Sequence, residues 1–206
     1  MKKYSNKRYT RKKIDSSTTR KTHKSKPIIY SKEDYHSQDG MLTTVWGPII
    51  WSFLHCMSFN YPNEPTNEDK KHYRNFIYNL QYVLPCGKCR NNLKKNLKNL
   101  PLQMSDMSSR DSFSRYIYNL HEVVNKMLGK KSNLIYEDVR ETFEHFRARC
   151  SLPIELKHKT PGGKTENGCV EPLYGEKAKC VLKIVPQSKK CGSSFQVDTK
   201  CVKQKL

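Results

Sequence analysis

No stretch of the 206 residues approaches the ~18 consecutive apolar positions that a membrane-crossing helix requires, so no span is expected. Hydrophobic residues make up only 35% of the chain, too few for a core running end to end. A folded part with solvated segments beside it is expected instead. Acidic residues are scarce as well: 19 Asp+Glu stand against 39 Lys+Arg, a formal charge of +20. The first residues, Met1-Lys2-Lys3-Tyr4-Ser5-Asn6-Lys7-Arg8, lead into no apolar stretch, which argues against a secretory signal peptide.

The positive charge is spread over three segments of different character. Residues 1–40 hold 12 Lys+Arg and 4 acids with almost nothing apolar to bury. A disordered, self-repelling basic arm is expected there, suited to an acidic surface, to nucleic acid, to an address receptor or simply to solubility. Residues 41–150 carry the helical pattern. Residues 151–206, rich in Gly, Pro and Lys, are expected to form an irregular, basic, Cys-containing extension with little core of its own, Val181–Val185 being its candidate strand.

Within 41–150, Gly47-Pro48 opens a segment running to Phe59, with Pro48 placed in a first turn where its missing N–H costs nothing. Thr66, with Asp69 three residues on, caps a helix bearing Tyr73, Phe76, Ile77, Leu80, Val83 and Leu84 at helical spacing. Pro85 ends it. A shorter basic helix follows over 87–99. Ser108 and Asp111 repeat the capping pattern ahead of Phe113, Ile117, Leu120, Val124 and Leu128, and Gly129 fits the C-terminus. A last helix spans Tyr136 to Arg149. Short connections between these elements predict an all-α fold, a four-helix bundle plus a short fifth helix.

The chemistry falls at Pro85-Cys86-Gly87-Lys88-Cys89, where one helix ends and the next begins. Two cysteines three apart can close a small disulfide, and a helix N-terminus favours the thiolate. The same spacing is half a zinc site, which needs a second ligand pair. The other cysteines (Cys56, Cys150, Cys169, Cys180, Cys191 and Cys201) contain no second CxxC, and no pair of histidines has zinc-finger spacing. A redox pair is the stronger reading, with no metal site expected.

Trp51-Ser52-Phe53-Leu54-His55, Tyr61-Pro62-Asn63-Glu64-Pro65-Thr66, the CxxC run and His121-Glu122-Val123-Val124-Asn125-Lys126 succeed one another in a pattern that resembles the Erv/ALR family of FAD-linked sulfhydryl oxidases over about residues 46–149. Trp46-Gly47-Pro48 and Leu84-Pro85-Cys86-Gly87-Lys88-Cys89-Arg90 look most like the branch found in large cytoplasmic DNA viruses. The resemblance implies a bundle that holds FAD at its mouth with the CxxC against the flavin. A flavin is needed because protein disulfides do not by themselves pass two electrons to dioxygen. Cys89 matches the flavin-proximal sulfur and Cys86 the one exchanging with an incoming dithiol, for R-(SH)2 + O2 → R-S2 + H2O2. By the same resemblance Gly47, Trp51, His55 and Tyr61 surround the flavin and adenine, His121, Val124 and Asn125 run along the cofactor, and Lys126 and Lys130 meet its phosphates. Taken singly, Trp51 is a core aromatic and His55 or His121 a satisfied core histidine. The joint pattern with CxxC reverses that, and the i,i+4 spacing of Trp51 with His55 and of His121 with Asn125 puts each pair on one face.

Several positions depart from the family. Glu122 stands where Asn is common. A structural disulfide of other members falls on Tyr118 and Ile135. No tryptophan follows Trp51, leaving Phe143 or Phe146 to replace a late Trp near the adenine. Cys56, next to His55, is expected to face the core. In the extension, Cys169, Cys180, Cys191 and Cys201 form either a shuttle dithiol or a pair of structural disulfides, with three pairings open. The resemblance further implies a homodimer, a protein dithiol substrate of thioredoxin-like kind, and residence in the cytoplasm or a virion. From the residues alone, a basic nucleic-acid-binding or scaffolding protein with a structural or metal-binding CxxC remains an alternative.

Overall fold

The computed structural model describes residues 29–150, 168–189 and 195–204; the clusters Lys7-Arg8 and Arg11-Lys12-Lys13, and Cys191, lie outside them. Met1–Gln38 and Asp39–Leu206 form separate compact units. The described part of the first contains one short helix, α1 (Lys32–His36). The Ser31 hydroxyl accepts from the Asp34 amide, and the Asp34 carboxylate accepts from the Ser31 amide. This capping box gives five residues of local helix near the end of the segment expected to be a disordered arm.

In the second unit α2 (Thr43–Phe59), α3 (Asn67–Val83), α4 (Gly87–Asn99), α5 (Arg110–Met127) and the short α6 (Tyr136–Glu144) make an all-α fold. Among the described residues there is no strand, only an isolated bridge between Ala148 and Pro172, so the strand expected at Val181–Val185 is absent. Helix α5 packs against α2, α4 and α6, while α3 packs on α4 and α2 on α6. Leu54, Tyr61, Ile77, Leu93, Leu97, Phe113, Tyr116, Ile117 and Leu120 meet in the core. Its buried hydroxyls are satisfied: that of Tyr61 donates to the Met107 carbonyl (3.0 Å), that of Tyr116 to the Leu100 carbonyl (2.9 Å), and the Ser114 and Tyr136 hydroxyls share a 2.8 Å bond.

Helices α3 and α4 occupy the expected spans, and the Thr66–Asp69 box is formed. Elsewhere the boundaries move for identifiable reasons. Helix α2 begins at Thr43, ahead of Gly47, because the Val45 and Trp46 amides donate to the Leu42 carbonyl and the Trp46 indole donates to the Met41 carbonyl (3.0 Å). Pro48 is therefore inside the helix, not in its first turn, and leaves the Thr44 carbonyl without an i+4 amide. The α5 cap is Ser109, reciprocated by Ser112; Asp111 instead accepts from Arg115 (2.9 Å). Gly129 follows α5 at φ +66°, as a helix C-terminus requires.

Helix α6 stops at Glu144, short of Arg149, because the backbone beyond it pairs elsewhere. The Arg149 amide donates to Glu171 and the Leu173 amide to Arg147, both at 2.7 Å. Cys150 is disulfide-bonded to Cys169, a pairing outside the three considered for the extension. At the family's disulfide position, the Tyr118 hydroxyl donates to the Leu134 carbonyl (2.8 Å) and ties the α5–α6 loop down. Cys56 is exposed, not turned to the core: it lies on the side of α2 away from the buried Leu54, His55, Ser58 and Phe59.

Candidate active site

Leu84 ends α3 in an extended conformation, and Cys86 becomes the N-cap of α4. Three bonds hold this break: the Cys86 amide donates to the Leu84 carbonyl (2.8 Å), the Arg90 guanidinium donates to the same oxygen (2.6 Å), and the Met41 amide donates to the Pro85 carbonyl (2.8 Å). Gly40 makes the last approach feasible, since a Cβ there would stand 2.9 Å from the Pro85 oxygen and 3.0 Å from the Cys86 Cα.

The two sulfurs are free thiols, both half-buried, and they are unequal. Cys86 Sγ accepts the Cys89 amide at 3.2 Å. Hydrogen bonding from the Cys89 thiol and from backbone amides, with the nearby Arg90 charge, holds Cys86 below the usual thiol range. Burial, and the bond to Cys86, push Cys89 up to about 11. The helix N-terminus thus favours charge on Cys86, while Cys89, one turn in, remains the thiol.

Cys89 faces an apolar cavity of about 150 Å3 enclosed by α2, α3, α4 and α5. Trp46, Gly47, Ile50, Trp51 and Leu54 contribute from α2, Leu80 from α3, Asn92 and Asn96 from α4, and Leu120, Val124 and Met127 from α5. Trp51 is stacked on His121, with centroids 4.0 Å apart and planes 7° from parallel. His55 Nε2 and His121 Nδ1 share a 3.0 Å hydrogen bond. Burial drives both histidines to neutrality, His55 down to about 3 and His121 to about 4. Asn96 Nδ2 is buried without a hydrogen-bond partner among the described residues.

At the end of α5 the surroundings change sign. An open groove of about 580 Å3 is lined by Lys126, Lys130 and Lys131 with Glu122 and the 132–135 loop. Met127 and Leu128 border the apolar cavity while Lys126 and Gly129 border the groove, so one helical turn separates the two. The Glu122 carboxylate accepts from the Asn125 amide (2.9 Å), which occupies the residue that departs from the family pattern.

Cys89, Gly47, Trp51 and Val124 are therefore brought together at the cavity, His121 and His55 back its wall, and Lys126 and Lys130 line the groove. Tyr61 is elsewhere: it is fully buried in the core, with its hydroxyl on the Met107 carbonyl, and does not line the cavity. Asn125 faces Glu122. Phe143 stacks near His55 (5.1 Å) and Phe59 (5.8 Å), extending the aromatic series, with Phe146 edge-on to it. Cys169 is engaged by Cys150, Cys180 is exposed and Cys201 half-buried, both as free thiols. The sequence reading missed Gly40, Trp46, Asn92 and Asn96. For the two asparagines the signal was their i,i+3 and i,i+7 offsets from Cys89, which place them along its side of α4.

The family model described as Erv1 / Alr matches residues 48–147. A probable FAD-linked sulfhydryl oxidase, R368 of Acanthamoeba polyphaga mimivirus, is 41% identical over 99 residues, covering 48% of this chain and 68% of that protein. The FAD-linked sulfhydryl oxidase ERV1 of Arabidopsis thaliana is 33% identical over 84 residues, and the match spans 41% of this chain and only 42% of the plant protein. Among solved structures, the yeast Erv1 core aligns at 23% identity and a TM-score of 0.47, over 59% of this chain and 96% of that one. The chain belongs to the Erv1/Alr family.

Two outcomes are expected from this geometry. Gly40→Ala forces the 39–42 segment off Pro85 and costs about 1–3 kcal/mol of stability, as overpacking does, measurable by denaturant unfolding. Unchanged stability would show that the close approach does not matter. The second concerns pH. Because the folded histidines titrate at about 3 and about 4 against an ordinary 6.5, the unfolded chain binds protons that the folded chain refuses. Their contribution is whole above pH 6.5 and is lost as pH falls toward 4. The melting temperature is expected to drop between pH 6.5 and 4.5, above the carboxylate range, and His121→Asn is expected to flatten that slope.

Proposed function

We propose that the chain is an FAD-linked sulfhydryl oxidase that forms disulfides in protein dithiols, with Cys86 meeting the substrate and Cys89 lying beside the cofactor. One observation carries this: Cys89 lines an apolar slot walled by Trp51, while Cys86, at the helix cap, is not part of its lining. The donor set suits the dinucleotide. A planar apolar slot with two carboxamides matches a flavin ring, and the adjoining Lys126, Lys130 and Lys131 match its phosphates. Bound FAD supplies the two-electron acceptor that cysteines lack, passing the pair to dioxygen to give hydrogen peroxide.

The chain's own part is thiol–disulfide exchange. A substrate thiolate attacks Cys86 Sγ of the oxidised pair; the Cys86–Cys89 bond breaks, a mixed disulfide forms, and the electron pair stays on Cys89. The second substrate thiolate then attacks the substrate sulfur of that mixed disulfide. The substrate disulfide forms and Cys86 leaves as thiolate; of the two protons lost by the substrate, one is taken up by Cys89, whose thiol is pushed up to about 11, and the other goes to solvent. The low pKa of Cys86 makes it the better leaving group in this step. Among the described residues no cluster of three His, Cys, Asp or Glu gathers that would hold a metal. No described helix is long and apolar enough to cross a membrane.

The proposed assembly is a homodimer. Ile49 and Phe53 of α2 are 46% and 51% exposed, and Phe76 of α3 lies edge-on to Phe53 at 6.0 Å, giving an uncovered apolar patch. Wild-type protein is expected to sediment as a dimer and Phe53→Asp as a monomer; a concentration-independent monomer mass for the wild type would exclude the dimer.

For the chemistry, Cys86→Ser and Cys89→Ser are each expected to keep the flavin absorbance near ~450 nm and lose dithiol-driven oxygen consumption. Turnover retained by either variant contradicts the assignment. A colourless, folded wild type that takes up no FAD refutes the whole reading. In the same assay Cys180→Ser with Cys201→Ser is expected to spare dithiothreitol oxidation and slow that of a folded substrate if these thiols act as a shuttle. Equal rates would remove that role.

A further inference from the structure

Between Asp69 and Asp106 lie eight Lys or Arg and not one acidic residue, although the chain average would place about three acids there. The span runs from the first turns of α3 through Cys86 and Cys89 to the loop beyond α4. Some of these cations are engaged. Lys71 pairs with Glu68, Arg74 donates to the Leu102 carbonyl and covers the Tyr78 ring, and Arg90 is held on Leu84. The four lysines of α4 are different. Lys88, Lys94, Lys95 and Lys98 are all exposed, and none has an ion-pair partner among the described residues.

Their arrangement follows from the helix. Leu93, Asn96 and Leu97 are the buried positions of α4, and three- and four-residue steps return Lys88, Asn91, Lys94, Lys95 and Lys98 to the side away from them. Ten residues separate Lys88 from Lys98, a rise of about 15 Å, so four like charges crowd a face shorter than two Debye lengths. A helix selected only for stability would intersperse acids at i±4, as α5 does with Asp111 and Arg115. On α4 repulsion is left uncompensated, and it is left so on the helix that begins at Cys86.

We propose that this lysine face is the docking surface for the substrate, and that the substrates are proteins whose dithiol is flanked by acidic residues. The inference rests on the oxidase reading and adds the substrate class. Nucleic acid is the weaker occupant for two reasons. Strand-binding faces interleave cations with aromatic stacking platforms, and Gly87–Asn99 contains no aromatic residue. A nucleic acid there also offers no thiol to the sulfur at the end of the face. An acidic protein gains twice: its encounter is steered toward the N-terminal end of α4, and its reactive thiolate is held near positive charge.

The test uses the full chain loaded with FAD and three reduced synthetic peptides sharing one Cys-Gly-Pro-Cys core, flanked by glutamates, glutamines or lysines, with dithiothreitol as the small dithiol. At low salt kcat/KM is expected to fall from the acidic to the neutral to the basic peptide, by at least ~10-fold across the series, and the spread is expected to narrow at high salt. Lys94→Glu, Lys95→Glu and Lys98→Glu together are expected to invert the order while leaving dithiothreitol oxidation unchanged. If that variant does not fold, the Gln triple substitution at the same positions is expected to flatten the preference instead. Equal kcat/KM for the three peptides overturns the proposal, as does a preference that survives the substitutions. A single-stranded oligonucleotide of about 20 nucleotides that binds the wild type and not the triple variant, without peptide discrimination, assigns the face to nucleic acid. Absence of dithiothreitol turnover refutes the oxidase reading itself, whereas turnover without discrimination removes only the docking surface.

Discussion

The hydrogen bond from the Cys89 amide to Cys86 Sγ, at 3.2 Å, is the contact on which the rest of the site turns. It exists because the chain changes direction at Leu84-Pro85, so that a cysteine, rather than Ser, Thr or Asp, caps α4. Capping by sulfur has two effects at once. It aims the free amides of the first turn at Cys86, favouring charge there, and it places Cys89 one turn deeper, where burial opposes charge. Two chemically identical side chains thereby become unequal thiols, one favoured as thiolate and one held protonated, as the proposed exchange and relay roles require. The break is guarded from outside by the Met41 amide on the Pro85 carbonyl, which only a glycine at position 40 allows.

Behind the sulfurs, the bundle separates apolar from charged surfaces within one turn of α5. Upstream, Leu120 and Val124 face the slot; downstream, Lys126 and Lys130 face the groove. The histidines belong to the apolar side because burial keeps them neutral, so the His55–His121 bond joins two uncharged rings and positions the plane on which Trp51 stacks. A charged imidazolium there would place a cation in the apolar wall. Phe143 continues the aromatic series from His55.

How much of this could be read from the sequence depended on whether a signal was local. Helices α3 and α4 emerged with their caps because Thr66-x-x-Asp69 and Pro85-Cys86 encode them within a few residues. The start of α2 was misplaced because Pro48 suggests a first turn, whereas the Trp46 indole bond to Met41 nucleates the helix earlier. The end of α6 was overrun because its terminator is the non-local pairing of Ala148 with Pro172. The same reason hid the Cys150–Cys169 bond, which joins residues assigned to different segments. Motif order singled out the Cys86–Cys89 pair and several residues that the fold gathers at the cavity, Gly47, Trp51 and Val124 among them. Motif order does not reveal packing: Tyr61 belongs to the same series, yet it lies in the core with its hydroxyl committed to Met107.

Thiol–disulfide exchange at Cys86 has little chemical selectivity of its own, since any thiolate that reaches the sulfur in line can react. The slot cannot supply selectivity either, because it lies on the Cys89 side and is apolar and narrow. Discrimination among dithiol proteins must therefore come from surface that a partner touches while its thiol approaches Cys86. On this chain the nearest such surface is set by composition: α4 contributes lysines outward and leucines inward, and the 36 residues around the sulfurs hold no acid to counter them. On the proposed reading the reaction centre is chemically general within and electrostatically biased without, a division that would leave the bundle free to keep its cavity-lining residues while the outer face of one helix selects the partner.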